Sequence, residues 1–121
     1  MTLPPYGLCL PCKYRRCRDG DTVEISVLGA DRIWAIRLID CWAPDRNEPG
    51  FKEAKAFAEE VLQDADHLSV YVPAPRDTRN LLANLTFDRV PGWLFVGTED
   101  TLNAMMVHAG HATEEKRRGD R

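Results

Sequence analysis

The run Thr22-Val23-Glu24-Ile25-Ser26-Val27 alternates apolar and polar side chains without a break. Successive side chains of a strand point to opposite faces, so this pattern is that of a half-buried β-strand. Leu28-Gly29-Ala30-Asp31 then supplies turn chemistry, and a second strand, rich in Ile and Trp, is expected from Arg32 to Cys41. Two such runs joined by a short Gly-containing loop read as a hairpin. Upstream, the basic segment Cys12 to Arg18 can add a third strand.

Downstream, Pro44, Pro49 and Gly50 interrupt the chain before an amphipathic helix over Phe51 to Ala65. Phe51, Ala54, Phe57, Ala58, Val61, Leu62 and Ala65 form its apolar stripe, and Lys52, Glu53, Lys55, Glu59, Glu60 and Gln63 lie outside it. Leu68 to Val72 is a further strand, ended by Pro73 and Pro75, and Leu81 to Phe87 follows a polar loop. Asp88 to Gly92 reads as a turn and Trp93 to Val96 as the returning strand. A short helix begins at Thr101, an acceptable N-cap, and stops at Gly110. Its Leu102, Met105, Met106 and Ala109 share a face, so the methionines read as core. The charged end, Thr113 to Arg121, is expected to fray. Strands first, with helices interposed, imply an α+β, mainly β fold: a small five-stranded OB-type antiparallel barrel with two packed helices.

The 121 residues suit one domain with one core, about residues 12 to 112. No apolar run is long enough to span a bilayer. The N-terminal stretch lacks a charged head followed by an apolar run, so no secretory signal is expected and the location implied is cytoplasmic. Sixteen Lys and Arg against nineteen Asp and Glu give a formal charge of −3. That balance argues against a broad basic surface for polyanions but is compatible with gripping one or two phosphates. Nothing in the residues sets the oligomeric state, and a monomer is the default. Cys9 and Cys12 have CxxC spacing, but no second close pair follows; Cys17 and Cys41 lie in strand-like stretches, where cysteine is a small buried hydrophobe. Reduced thiols are expected rather than zinc ligands.

Two stretches carry chemistry. In Asp19-Gly20-Asp21-Thr22, a glycine permits a bend, and alternate carboxylates can face one hard cation. On these four residues alone an ordinary Asp-Gly turn is the simpler reading. In Ile36-Arg37-Leu38-Ile39-Asp40-Cys41-Trp42-Ala43-Pro44-Asp45, an arginine sits inside an apolar strand and acids follow. It cannot discharge, so it must find a partner or emerge into a cleft, and its planar fork suits two phosphate oxygens.

The DGDT turn and the arginine-leucine pair leading into an acid-containing Ala-Pro-Asp segment resemble the staphylococcal nuclease-like family. The resemblance continues through Phe87-Asp88-Arg89-Val90-Pro91-Gly92 and through Leu102-Asn103 to Gly110-His111-Ala112. It implies a calcium-dependent nuclease that hydrolyses phosphodiesters of DNA or RNA with little sequence specificity. By the same resemblance, Asp21 binds the metal with the Ala43 carbonyl, Asp19 holds metal-bound water, Arg37 and Arg89 clamp the phosphate, and Asp45 activates the water. The family's second metal-binding aspartate falls on Trp42, which cannot ligate a cation. Asp40, two residues earlier and on the same face of a regular strand, is the substitute expected. Asp45 is one methylene shorter than the family's glutamate. Lys13, Arg15 and Trp42 are the expected nucleic-acid contacts, with Trp42 a better stacking surface than Tyr71, Phe87 or Trp93. The competing expectations are a domain of the same fold that binds nucleic acid without cutting it, and a protein-interaction module.

Overall fold

In a computed structural model, residues 3, 7–27, 32–73, 89–97 and 99–115 are described. Six strands and two helices follow in the order β1 (Gly7–Asp19), β2 (Thr22–Val27), β3 (Arg32–Leu38), α1 (Phe51–Asp64), β4 (Leu68–Pro73), β5 (Arg89–Val96), β6 (Asp100–Thr101) and α2 (Leu102–His108). The fold is mainly β with two helices, as the alternation and the helical stripe imply. The strands lie in the order β3-β2-β1-β4-β5-β6, and a further pairing of β3 with β5 closes a ring of hydrogen bonding. The β3–β5 pairing is parallel and the other five are antiparallel.

β1 is long because it serves two partners. Its first half, Gly7 to Cys12, pairs with β4, and its second half, from Cys12, pairs with β2. The alternation in β2 is registered as expected: Val23, Ile25 and Val27 enter the core with Ile36, Leu38, Val70, Val72, Val90 and Leu94. α1 adds Ala54, Ala58 and Leu62 to that core, and α2 adds Leu102 and Met106. α1 starts at Gly50, whose φ of 89° lies in the left-handed region that glycine tolerates. α2 is capped as the sequence implies: Thr101 Oγ1 accepts the Ala104 N–H at 3.1 Å, and Gly110 reverses the chain with φ 84°.

Several boundaries differ from the sequence expectation. β1 begins at Gly7 rather than Cys12. β3 ends at Leu38, three residues before Cys41, because Ile39 and Asp40 form a tight turn in which Asp40 has φ 55°. Arg89 to Gly92, read as part of a turn, belongs to β5 and runs beside β3 from Ala35 to Leu38. Pro91 is accepted there because β4 pairs with β5 only from Trp93 onward, leaving the proline in a one-sided setting. Thr113, assigned to a fraying end, forms a bridge with Trp42. The expected strand Leu81 to Phe87 lies outside the described residues. No helix among the described residues is long and apolar enough to cross a membrane.

Among the described residues Asn103 is the one buried amide, and it joins three segments. Its Oδ1 accepts the Leu94 N–H at 3.0 Å, and its Nδ2 donates to Ile39 O at 2.8 Å and Gly92 O at 3.1 Å. Asn103→Leu keeps the volume but strands a buried donor and a buried acceptor, so chemical denaturation should register a loss of about 2–4 kcal/mol. Gly20 is demanded by close approach: a Cβ there would lie 2.7 Å from Ala43 Cβ and 3.0 Å from Ala54 Cβ. Gly20→Ala should cost about 1–3 kcal/mol in the same measurement, since both neighbours are fixed to backbone.

Candidate functional site

The site assembles where the β1–β2 turn meets the chain leaving β3. Asp19 pairs with Thr22 across the hairpin, leaving Gly20 and Asp21 as its two-residue loop. Asp19 Oδ1 accepts the Asp21 N–H at 3.1 Å, the self-bonding turn that aspartate favours. Asp21 is thereby held inward, at 6 % exposure, against a segment more than twenty residues downstream. Its Oδ2 accepts the Ala43 N–H at 3.0 Å and stands 3.7 Å from Arg37 Nη2; its Oδ1 accepts the Thr22 hydroxyl at 3.4 Å.

Arg37 leaves β3 and wraps the turn that ends it. Nη1 donates to the carbonyl of Leu38 and, at 2.9 Å, to that of Cys41. Its guanidinium carbon lies 4.2 Å from the centre of the Trp42 ring, a cation–π stack. Trp42 is pinned in turn, its N–H donating to Thr113 O at 2.8 Å and its carbonyl accepting from Thr113 N at 3.1 Å. The strand-interior arginine has therefore found internal partners: two carbonyls, an aromatic face and a carboxylate.

Burial, above all, pushes the Asp21 carboxyl up to about 7, and its hydrogen bond with Asp19 and the charge of Asp19 add to that. Arg37 and the Ala43 N–H oppose the rise without cancelling it. The neighbouring Cys41 thiol is pushed up to about 12, first by burial and then by the charge of Asp21. It is an inert, neutral thiol.

The other expected site residues fall around this cluster. Register sets Arg37 opposite Pro91 and Ala35 opposite Arg89, so Arg89, which is exposed, shares the sheet face of Arg37 two positions away. Asp45 is half-buried; its N–H donates to Glu48 Oε1 at 2.8 Å, and its carbonyl accepts the Glu48 N–H at 2.9 Å. The parity argument for Asp40 presupposed a strand reaching Cys41. With the strand ending at Leu38, Asp40 lies in the turn and lines a groove beside α2 whose walls do not include Asp19 or Asp21.

Lys13 and Arg15 are exposed on β1, and neither has an ion-pair partner among the described residues. Their neighbours Arg16 and Arg18 both bind Glu24, at 2.8 and 2.7 Å, and hold its carboxyl below the usual range, Arg18 most strongly. Trp93 is buried and Tyr71 is half-buried and tilted against it, ring centres 6.2 Å apart, whereas Phe87 lies outside the described residues. Cys9 is exposed, Cys12 half-buried, Cys17 and Cys41 buried, and all four are free. Asn103, which closes the far side of the 38–41 turn, was not singled out by residue-type reasoning. Its only signal is an amide on the inward face of a short helix.

Asp19, Asp21 and a backbone carbonyl at Ala43 are hard oxygen donors, the kind that calcium or magnesium takes. A cation beside Asp21 would also offset the burial that raises its pKa. The set fits such an ion in kind, although among the described residues no three His, Cys, Asp or Glu side chains converge as a metal site. No protein-family model matches the chain, and no curated protein matches it.

The raised carboxyl has a checkable consequence. Asp21 titrates near 7 when folded and near 4 when unfolded, so its contribution to stability is fully present below about pH 4. That contribution declines as pH rises and is lost by pH 7. Asp21→Asn, which keeps an acceptor for Ala43, removes the titration. Thermal melts of both proteins should show the variant gaining on the wild type between pH 5 and pH 8, by on the order of a few kcal/mol at the upper end.

Proposed function

We propose that this chain is a calcium-dependent nuclease of the staphylococcal nuclease-like type, acting on phosphodiester bonds of DNA or RNA with little sequence preference. In this reading the ring of strands is an OB-type barrel. The observation that carries it is the convergence of Asp21, Arg37 and Ala43 from two separate segments, with Arg89 on the same sheet face.

Asp21, Asp19 and the Ala43 carbonyl are the residues assigned to hold calcium; Asp40, which lines the groove beside α2, is left out of the set. Bound there, calcium supplies positive charge against the scissile phosphate. Asp45 orients the attacking water and takes its proton as the water oxygen bonds to phosphorus. The P–O ester bond breaks, leaving a phosphomonoester and an alkoxide that takes a proton from solvent to become a free hydroxyl. Arg37 and Arg89 stabilise the charge that gathers on the phosphoryl oxygens. Lys13 and Arg15 hold the backbone of the strand, a contact to phosphate that carries no sequence information. Trp42 is the residue assigned to stack on a base.

A second reading has a specific observation in its favour. Nη1 of Arg37 is committed to two carbonyls and its plane to Trp42, so a phosphate must compete with the turn for it. A domain that binds nucleic acid without cutting it satisfies that constraint through Arg89, Lys13 and Arg15.

Cleavage of single-stranded DNA and RNA, with calcium and with excess chelator, separates the two. The nuclease reading expects calcium-dependent cutting that Asp21→Ala abolishes and that Arg89→Ala slows by about 100- to 1,000-fold. Trp42→Asp, which places a carboxylate where the resemblance expects the second metal ligand, should raise the rate. Absence of cutting by folded wild type and by Trp42→Asp, together with salt-sensitive oligonucleotide binding lost in Arg89→Ala, leaves the binding reading in place.

A further inference from the structure

A second concave surface lies beside α2, and its chemistry opposes nucleic acid. It is a groove of about 730 Å³ floored by Phe57 of α1 with Met105 and Val107 of α2, and edged by Asp40, Asp100 and Glu114. The three apolar side chains are half-buried rather than enclosed, and the three carboxylates are exposed. No Lys or Arg is among the described residues lining it, and His108, at its rim, is the one basic side chain there. A groove of this size accommodates a few large side chains rather than a whole domain.

We propose that this groove docks a basic amphipathic segment of a partner protein, with apolar residues on one face and lysines or arginines beside them. The apolar floor, contributed by two helices, suits the stripe of an incoming helix. The carboxylates on its edges select positive flanks and exclude acidic ones, the complementarity that sets partner choice and encounter rate. Phosphate backbones are repelled by the same three groups. The groove's lining includes neither Asp21 nor Arg37, so the proposal does not rest on whether that cluster cuts or only binds.

The test uses the full chain and three synthetic 16-residue peptides: an amphipathic Leu/Lys helix, its Leu/Glu counterpart, and a scrambled Leu/Lys peptide of identical composition. Binding is followed by NMR of the methyl groups of Ala104, Met105 and Val107, with calorimetry for affinity. The ordered Leu/Lys peptide should shift those methyls and bind at least about 10-fold more tightly than the scrambled peptide, and the Leu/Glu peptide should not bind. Asp100→Lys combined with Glu114→Lys changes two exposed side chains and should weaken binding about 10-fold or more, with thermal melting verifying that the variant is folded. Equal binding of ordered and scrambled peptides, shifts confined to other methyls, or indifference to the charge reversals would overturn the proposal. Displacement of the peptide by a short oligonucleotide would also overturn it, assigning the groove to nucleic acid.

Discussion

The chain must turn between Leu38 and Cys41 while much of it is already buried, and three of its carbonyls there accept from side chains. That constraint organises the rest of the molecule. A buried carbonyl without a donor costs about 1–3 kcal/mol, and several in succession would be prohibitive for a domain of this size. The turn is satisfied from two sides by side chains. Arg37 donates to Leu38 O and Cys41 O, and Asn103 donates to Ile39 O. The backbone completes the arrangement, with Leu38 N donating to Asp21 O and Ile39 N to Gly92 O. The hairpin loop, β5 and α2 all meet at these four residues.

Meeting the carbonyls with a guanidinium brings a charge into a confined place. Asp21 lies near enough to compensate it, but at 3.7 Å the pair is not a tight bidentate one. Each ion still bears part of its desolvation, and a buried ion pair is weak support for stability in such circumstances. The raised carboxyl of Asp21 reflects that residual cost. Trp42 shares the load by offering the negative face of its ring to Arg37. An aspartate at position 42 would supply a full negative charge instead, and would pair with the guanidinium ionically in place of the cation–π stack. Trp42 thus bears on how Arg37 is held.

Much of the fold was legible because its signals are local. The alternation in Thr22 to Val27, the stripe from Phe51 to Ala65 and the Thr101 cap each depend on neighbours in sequence, and each element formed. What was not legible depends on distant partners. Arg89 to Gly92 carries Pro91 and Gly92, which locally spell a turn, yet β3 recruits it as a parallel strand. The early end of β3 is invisible in Ile39-Asp40-Cys41 because Asp40 adopts a left-handed conformation that nothing in its neighbours demands. The candidate site divides in the same way. Asp21 and Arg37 could be singled out as a carboxylate at a bend and a charge in an apolar run. That Arg37 spends its donors on its own turn could not, since carbonyl directions are not written in residue type.

The turn also adjoins two chemically different places. Arg37 and Asp21 pair beside it, and Asp40 lines the groove together with Phe57, Met105 and Val107. Both surfaces are anchored through the same backbone: Asn103, which fixes Ile39, is itself part of the groove wall. A helix pressed onto Met105 and Val107 bears on the helix that carries Asn103, and through that amide on the carbonyl next to Asp40. Because the carbonyls of Leu38, Ile39 and Cys41 are each met by a side chain, a shift of the turn must break or lengthen identifiable hydrogen bonds. Its alternatives are discrete arrangements rather than small continuous deformations. In this molecule the cheapest bond to exchange is the one from Arg37, since a phosphate offers the guanidinium a stronger acceptor than a neutral carbonyl does.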